Sequence, residues 1–191
     1  MKKIEAKDLI TVGIFTAIYF ALFFVCGMLG YVPLLYALLP LMLPIACGIP
    51  YMLFLTRVKS FGMVTIMGII VGGMMVLTGH TFVPLIGGIV CGVCADLIFK
   101  AGNYQSKKCS VIGYAVFSLW IMGMLVPYWT MREAFVEMFS KSMGEEYTQA
   151  VLVIFNKIAW VFPIMCIIGG ILGAFLGLSI LKKHFKKAGI A

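Results

Sequence analysis

His80 is the one histidine outside the lysine-rich C-terminal tail, where His184 sits. It stands in the short stretch Gly79-His80-Thr81, with Pro84 just beyond. A neutral imidazole is a common metal ligand. Thioethers are soft ligands, and Met28, Met74, Met75 and Met143 fall at a level in the chain where they would accompany it. The plainer reading of a lone histidine is a hydrogen-bonding loop residue. A second group mixes aromatic, amide and cationic side chains: Tyr128, Trp129, Arg132, Asn156, Lys157 and Trp160. Its rings would stack, its amide would hydrogen-bond, and its cations would hold an anionic group. The alternative for Tyr128, Trp129 and Trp160 is an interfacial aromatic belt. Arg132 and Lys157 would equally suit lipid headgroups or snorkelling.

Catalytic constellations are sparse. Asp96 is the one clearly intramembrane acid, and Lys100 stands four residues on as its expected partner. Cys91-Gly-Val-Cys94 lies within an apolar stretch with no basic neighbour to lower a thiol pKa, so small residues for helix packing are its expected role. Glu145-Glu146 lacks the arginine that membrane CAAX-type proteases place four residues later, because position 150 is Ala150. There is no Walker-type phosphate loop and no Gly-x-Ser-x-Gly. No catalytic residue is expected.

The elements that must position these groups follow from composition. Of 191 residues, 63% are hydrophobic and 12% charged, with a mean hydropathy of +1.10. A soluble globule cannot cover that much apolar surface, and a disordered chain would not carry it. The expectation is an all-α integral membrane protein, one domain over residues 1–191, with six spans near Leu9–Leu29, Leu34–Leu55, Phe61–Thr78, Phe82–Phe99, Val111–Met131 and Leu152–Leu181. Pro33, Pro40, Pro44 and Pro50 should kink or partly unwind the second span near its start. Twelve of the fifteen Lys and Arg, from Lys2, Lys3 and Lys7 through Arg57, Lys59, Lys100, Lys107 and Lys108 to the tail, fall on one side of that topology. By the excess of basic residues on the inner side, both termini are cytoplasmic. The basic balance is then topology rather than nucleic-acid binding. Within Arg132–Val151, Phe135, Met138 and Phe139 recur at helical spacing opposite Glu133, Glu137 and Lys141, and Gly144 can end the helix. A short amphipathic helix on the outer face, between spans five and six, is expected.

Small residues recur every fourth position: Gly169, Gly173 and Gly177; Gly88 and Gly92; Gly68 and Gly72; and Gly13, Ala17 and Ala21 in the first span. Such ridges let helices approach closely in lipid. Spacing alone leaves two readings for the Gly13 ridge, a groove for another protein's helix or internal packing.

With about 190 residues, six spans, cytoplasmic termini and an Ala-x-x-x-Ala motif at Ala17 and Ala21, the chain resembles the substrate-binding S components of energy-coupling-factor (ECF) transporters. Within them it looks most like the MptD-like, Trep_Strep-type membrane proteins. The resemblance implies a binding subunit of an ABC-type importer in a bacterial cell membrane. Gly13, Ala17 and Ala21 would dock onto a transmembrane T component driven by two cytoplasmic ATPases, and a small nutrient would bind near the outer surface. It would give His80, Thr81, Trp129, Arg132, Asn156, Lys157 and Trp160 the substrate-binding role. The expected ligand is a vitamin-like organic molecule, or a haem-type tetrapyrrole with His80 as axial ligand and Arg132 or Lys157 on the propionates. The competing readings are an accessory or structural membrane protein, and a membrane enzyme with an unfamiliar site.

Overall fold

A computed structural model of the chain describes residues 4–185; Lys2, Lys3, Lys186 and Lys187 of the basic set lie outside them. The described residues form an all-helical bundle. Its α-helices are α1 (Ala6–Gly27), α2 (Pro33–Leu55), α3 (Met63–Leu77), α4 (Val83–Ala101), α5 (Lys107–Ser118), α6 (Met122–Leu125), α7 (Pro127–Thr130), α8 (Arg132–Met143), α9 (Glu145–Ile158) and α10 (Phe162–Ile180). Among the described residues, five helical segments are long and apolar enough to cross a membrane: Ala6–Tyr31, Pro33–Leu55, Val83–Ala101, Lys107–Thr130 and Glu145–Lys183. The remaining apolar helix, α3, has 15 residues. At about 1.5 Å per residue it is roughly 22 Å long, short of a bilayer core of about 30 Å.

Two spans are divided where proline dictates it. The fifth segment passes from α5 through a 3₁₀ turn at Leu119–Ile121 into α6, then restarts as α7 at Pro127. The expected sixth span is two helices, because a 3₁₀ turn at Ala159–Val161 separates α9 from α10 and Pro163 sits in the first turn of α10. Proline has no N–H to give and favours a helix start. The second span departs from expectation in the other direction. The irregular turn lies before it, at Met28–Tyr31, and α2 runs without interruption through Pro40, Pro44 and Pro50. Tyr114 of α5 donates its hydroxyl to the Pro44 carbonyl oxygen at 2.7 Å and so ties α5 to the middle of α2.

Most glycine ridges are consumed inside the bundle. A Cβ on Gly48 would stand 2.2 Å from the Gly173 carbonyl oxygen, and one on Gly169 would stand 2.4 Å from that of Leu41, so α2 and α10 meet backbone to backbone. Gly68 of α3 and Gly88 of α4 meet in the same way, again at 2.2 Å. Around these contacts the core is aromatic: Tyr19, Tyr51, Tyr114, Phe117 and Trp120 are fully buried. The Trp120 indole N–H donates to the Tyr19 hydroxyl at 3.1 Å. Asp96 is also fully buried, and its partner is one the spacing missed. Its Oδ2 accepts from Gly62 N at 3.0 Å, Thr65 N at 2.8 Å and Thr65 Oγ1 at 2.6 Å. A carboxylate from α4 thus satisfies the orphan amides at the start of α3. Lys100 places its Nζ 5.8 Å from the centre of the Phe61 ring.

The basic loops gather at one end of the bundle, where Thr56, Lys107 and Lys182 face a common cleft. The opposite end is closed by α8 and α9. Helix α8 is amphipathic as expected: Phe135 and Phe139 are buried, Glu137 and Lys141 pair at 2.6 Å in the open, and Gly144 ends the helix at φ +85°. The buried face packs in an aromatic seam, with Phe139 edge-on to Tyr36 of α2 at 5.2 Å and Phe155 stacked on Tyr36 at 5.7 Å.

Candidate functional site

A cavity of about 210 Å³ lies at the α8 end. Its walls are the end of α1 and the turn after it (Phe23, Phe24, Met28, Tyr31), the start of α2 (Tyr36, Leu39), and Met75, His80, Met124 and Met143 from the end of α3, the following loop, α6 and the end of α8. Tyr147, at the start of α9, donates its hydroxyl to the carbonyl of Gly30 in the α1–α2 turn and ties the cover to the cavity rim.

His80 is the one nitrogen-bearing side chain among the residues lining this space. Burial lowers its pKa below the usual histidine value, with a hydrogen bond to the Met75 backbone acting in the opposite sense. The ring is therefore neutral at pH 7. The Thr78 hydroxyl donates to the Met75 carbonyl at 2.8 Å, and His80 Nδ1 lies 3.3 Å from the same hydroxyl oxygen. With the Thr78 proton on the Met75 carbonyl, the ring tautomer that fits this contact carries its proton on Nδ1 and has a lone pair on Nε2. Around the cavity stand four thioethers, Met28, Met75, Met124 and Met143. Three of these belong to the expected methionine set. Met74 lines no part of the cavity, and Met124 takes its place. Among the described residues, no three His, Cys, Asp or Glu side chains come together as a metal site.

The other expected binding residues do not join this cavity. Thr81 lines a separate 20 Å³ void under α8 with Phe135 and Met138, and His80 and Met124 border both spaces. Arg132, Asn156 and Trp129 cluster at the surface of the bundle around Tyr128. Asn156 Oδ1 accepts from Tyr128 Oη at 2.6 Å and from Arg132 at 3.1 Å, and the guanidinium lies 4.9 Å from the centre of the Tyr128 ring. Trp129 stands edge-on to Tyr128 at 5.3 Å and is 47% exposed. This network pins α7 and α8 to α9. Lys157 is exposed; its carbonyl accepts from the Trp160 indole at 3.1 Å, and Trp160 is 72% exposed at the α9–α10 joint. Of the seven, His80 alone lines the larger cavity. Phe23, Phe24, Tyr31, Tyr36 and Leu39 went unmarked because an apolar binding wall has the same composition as a core.

The fourth small-residue ridge behaves unlike the others. Gly13, Ala17 and Ala21 are all exposed along α1, and a Cβ on Gly13 would meet nothing within 4 Å. Ile10, Ile14 and Ile18 flank it, exposed by 64%, 56% and 49%.

No curated protein and no solved structure matches the chain. The bundle of apolar helices is that of a multi-pass membrane protein. A family model matches residues 6–187, nearly the whole bundle, and by that match the chain belongs to Trep_Strep, a family of hypothetical bacterial integral membrane proteins.

Proposed function

We propose that this protein is the substrate-binding S component of an ECF-type importer in the bacterial cell membrane. It takes a small nutrient from the outside into the cavity under α8 and docks through α1 onto a T component worked by two cytoplasmic ATPases. The observation that carries this reading is the Gly13–Ala17–Ala21 ridge. Every comparable glycine ridge in the bundle is filled by a neighbouring helix, whereas this one faces outward. A smooth, small-residue strip between exposed isoleucines admits another helix at close range, and in lipid such packing is what drives helix association.

The cavity supports the same reading. It lies at the end away from the basic loops, so with those loops cytoplasmic it receives ligand from outside. At about 210 Å³ it falls below the roughly 300–1,000 Å³ of sites for drug-sized ligands. That favours a small organic nutrient over a haem-type tetrapyrrole. Arg132 and Lys157, the cations assigned to propionates, stand outside the cavity. Hydrolysis and coupling belong to partner subunits in this account, and the chain supplies capture and docking.

A photo-crosslinking residue at Ile14 or Ile18, beside the ridge, tests the docking role. Co-expressed with a T component and its ATPases, these positions should capture the T component, and a crosslinker at Phe175 on α10 should not. Capture from Phe175 alone would reject the α1 assignment.

A further inference from the structure

We infer that the cavity under α8 selects an uncharged, flat, two-ring aromatic or heteroaromatic molecule carrying one N–H or O–H donor for His80 Nε2. The inference rests on the reading of this cavity as the nutrient site, and it names the class of nutrient.

Size comes first. A dry cavity of about 150 Å³ lined by aliphatic and aromatic side chains holds benzene. The 210 Å³ here accommodates a second fused ring. A tetrapyrrole, with four such rings, would overfill it.

Charge is the second constraint. None of the lining residues is Lys, Arg, Asp or Glu. An ion entering this space would lose its water and find no counter-charge, so a carboxylate or ammonium on the ligand is selected against. Outside the cavity, Arg132 is engaged with Asn156, and Glu137 with Lys141 on the far face of α8.

Shape and polarisability are the third. Phe23, Phe24, Tyr31 and Tyr36 share the walls with Met28, Met75, Met124 and Met143. Thioether sulfur packs favourably against aromatic rings, and its unbranched chain adapts to a flat guest. Ring faces add stacked or edge-on contacts. An aliphatic guest of the same volume gains neither.

The polar contact is the fourth. Thr78 gives its hydroxyl proton to the Met75 carbonyl, and the His80 tautomer that fits its 3.3 Å contact with the same oxygen is Nδ1–H. The Nε2 lone pair therefore needs a donor. A ligand with an N–H or O–H satisfies it; one with only an ether or a carbonyl leaves two acceptors facing each other.

The test uses the full chain in lipid nanodiscs, with empty nanodiscs subtracted and bound probe measured by equilibrium dialysis. The probes are 2-naphthol, 2-methoxynaphthalene and 2-naphthoate, which share two rings and differ in donor and charge. The expected result is saturable binding of one 2-naphthol per chain, at least tenfold tighter than 2-naphthoate and several-fold tighter than 2-methoxynaphthalene. In His80→Phe the preference for 2-naphthol over 2-methoxynaphthalene should vanish. Met75→Trp, which fills the cavity, should abolish binding. Tighter or equal binding of 2-naphthoate, no saturable binding of any probe, or binding unchanged in Met75→Trp would overturn the inference. The comparison of probes on the unaltered chain does not depend on any variant folding. Failure here leaves docking through α1 intact, because that role is read from assembly with the T component. Loss of docking with probe selectivity retained would reject the importer reading alone.

Discussion

Tyr147 and Gly30 are 117 residues apart in sequence, and the tyrosine hydroxyl meets the carbonyl of Gly30, a residue of the cavity wall. This hydrogen bond joins the start of α9 to the α1–α2 turn. Met143, at the end of α8, lies on the cavity wall beside it. Tyr147→Phe removes the hydroxyl and keeps the ring stacked on Phe139 at 6.3 Å. A hydrogen bond of this kind is worth about 0.5–1.5 kcal/mol. Ligand release should accelerate by roughly two- to tenfold, with little change in association. Stopped-flow release of a bound probe measures it, and an unchanged release rate would mean that α8 and α9 are not a cover.

Gly48, packed against the Gly173 ridge, and Gly13, on the exposed ridge, should respond oppositely to the same methyl group. Gly48→Ala drives a Cβ into the Gly173 carbonyl, which is backbone and cannot turn aside. Overpacking of this kind costs about 1–3 kcal/mol. Gly13→Ala meets open space and replaces a poor helix former by a better one. Thermal unfolding in detergent should fall for the first variant and hold or rise for the second.

The pH dependence around His80 has a definite sign. Its folded-state pKa is lowered from 6.5 by burial, so the unfolded chain takes up the proton first as pH falls. The stability contributed by the neutral ring is fully present above about pH 6.5 and is lost as pH drops below that value. Unfolding temperatures of the wild type should therefore decline more between pH 7 and pH 5 than those of His80→Gln. Binding of an N–H or O–H donor should weaken over the same interval, because protonated Nε2 no longer accepts. Parallel curves for the two proteins would show that the ring is not desolvated.

Sidedness is checked by labelling. Ser142 and Gln105 are exposed at opposite ends of the bundle. An impermeant thiol reagent added to intact cells should modify Ser142→Cys and spare Gln105→Cys, with the native cysteines as background. The reverse pattern would put the cavity on the cytoplasmic side.

Much of this architecture was legible in the residues. Apolar run length marked the membrane class and the approximate spans. The spacing of Phe135, Met138 and Phe139 marked the amphipathic α8, and Gly144 marked its end, while the start of α9 at Glu145 fell inside the same expected loop. The departures have local causes. Pro163 and Pro127 start new helices inside runs that hydropathy reads as continuous. Pro40, Pro44 and Pro50 do not interrupt α2, which is held along its length by α10 and α5, contacts no local window contains. At the site, His80, Met28, Met75 and Met143 stood out because their chemistry is distinctive. Arg132, Asn156 and Trp129 stood out for the same reason, yet they join one helix to another. Tyr36 and Leu39 could not be told from core, since whether an apolar side chain faces a neighbour or a cavity depends on how other helices pack around it.

If the exposed ridge of α1 seats a partner helix, as proposed, assembly with the T component reads it out directly. Tagged wild type and Ala17→Trp are co-expressed with a T component and its two ATPases, and the amount of T component retained is quantified alongside the thermal stability of the isolated chain. A bulky side chain on an outward-facing ridge should lower retention by at least about tenfold, equivalent to about 1.4 kcal/mol, and leave stability unchanged. Undiminished retention, or a loss of stability in the isolated chain, would contradict the account.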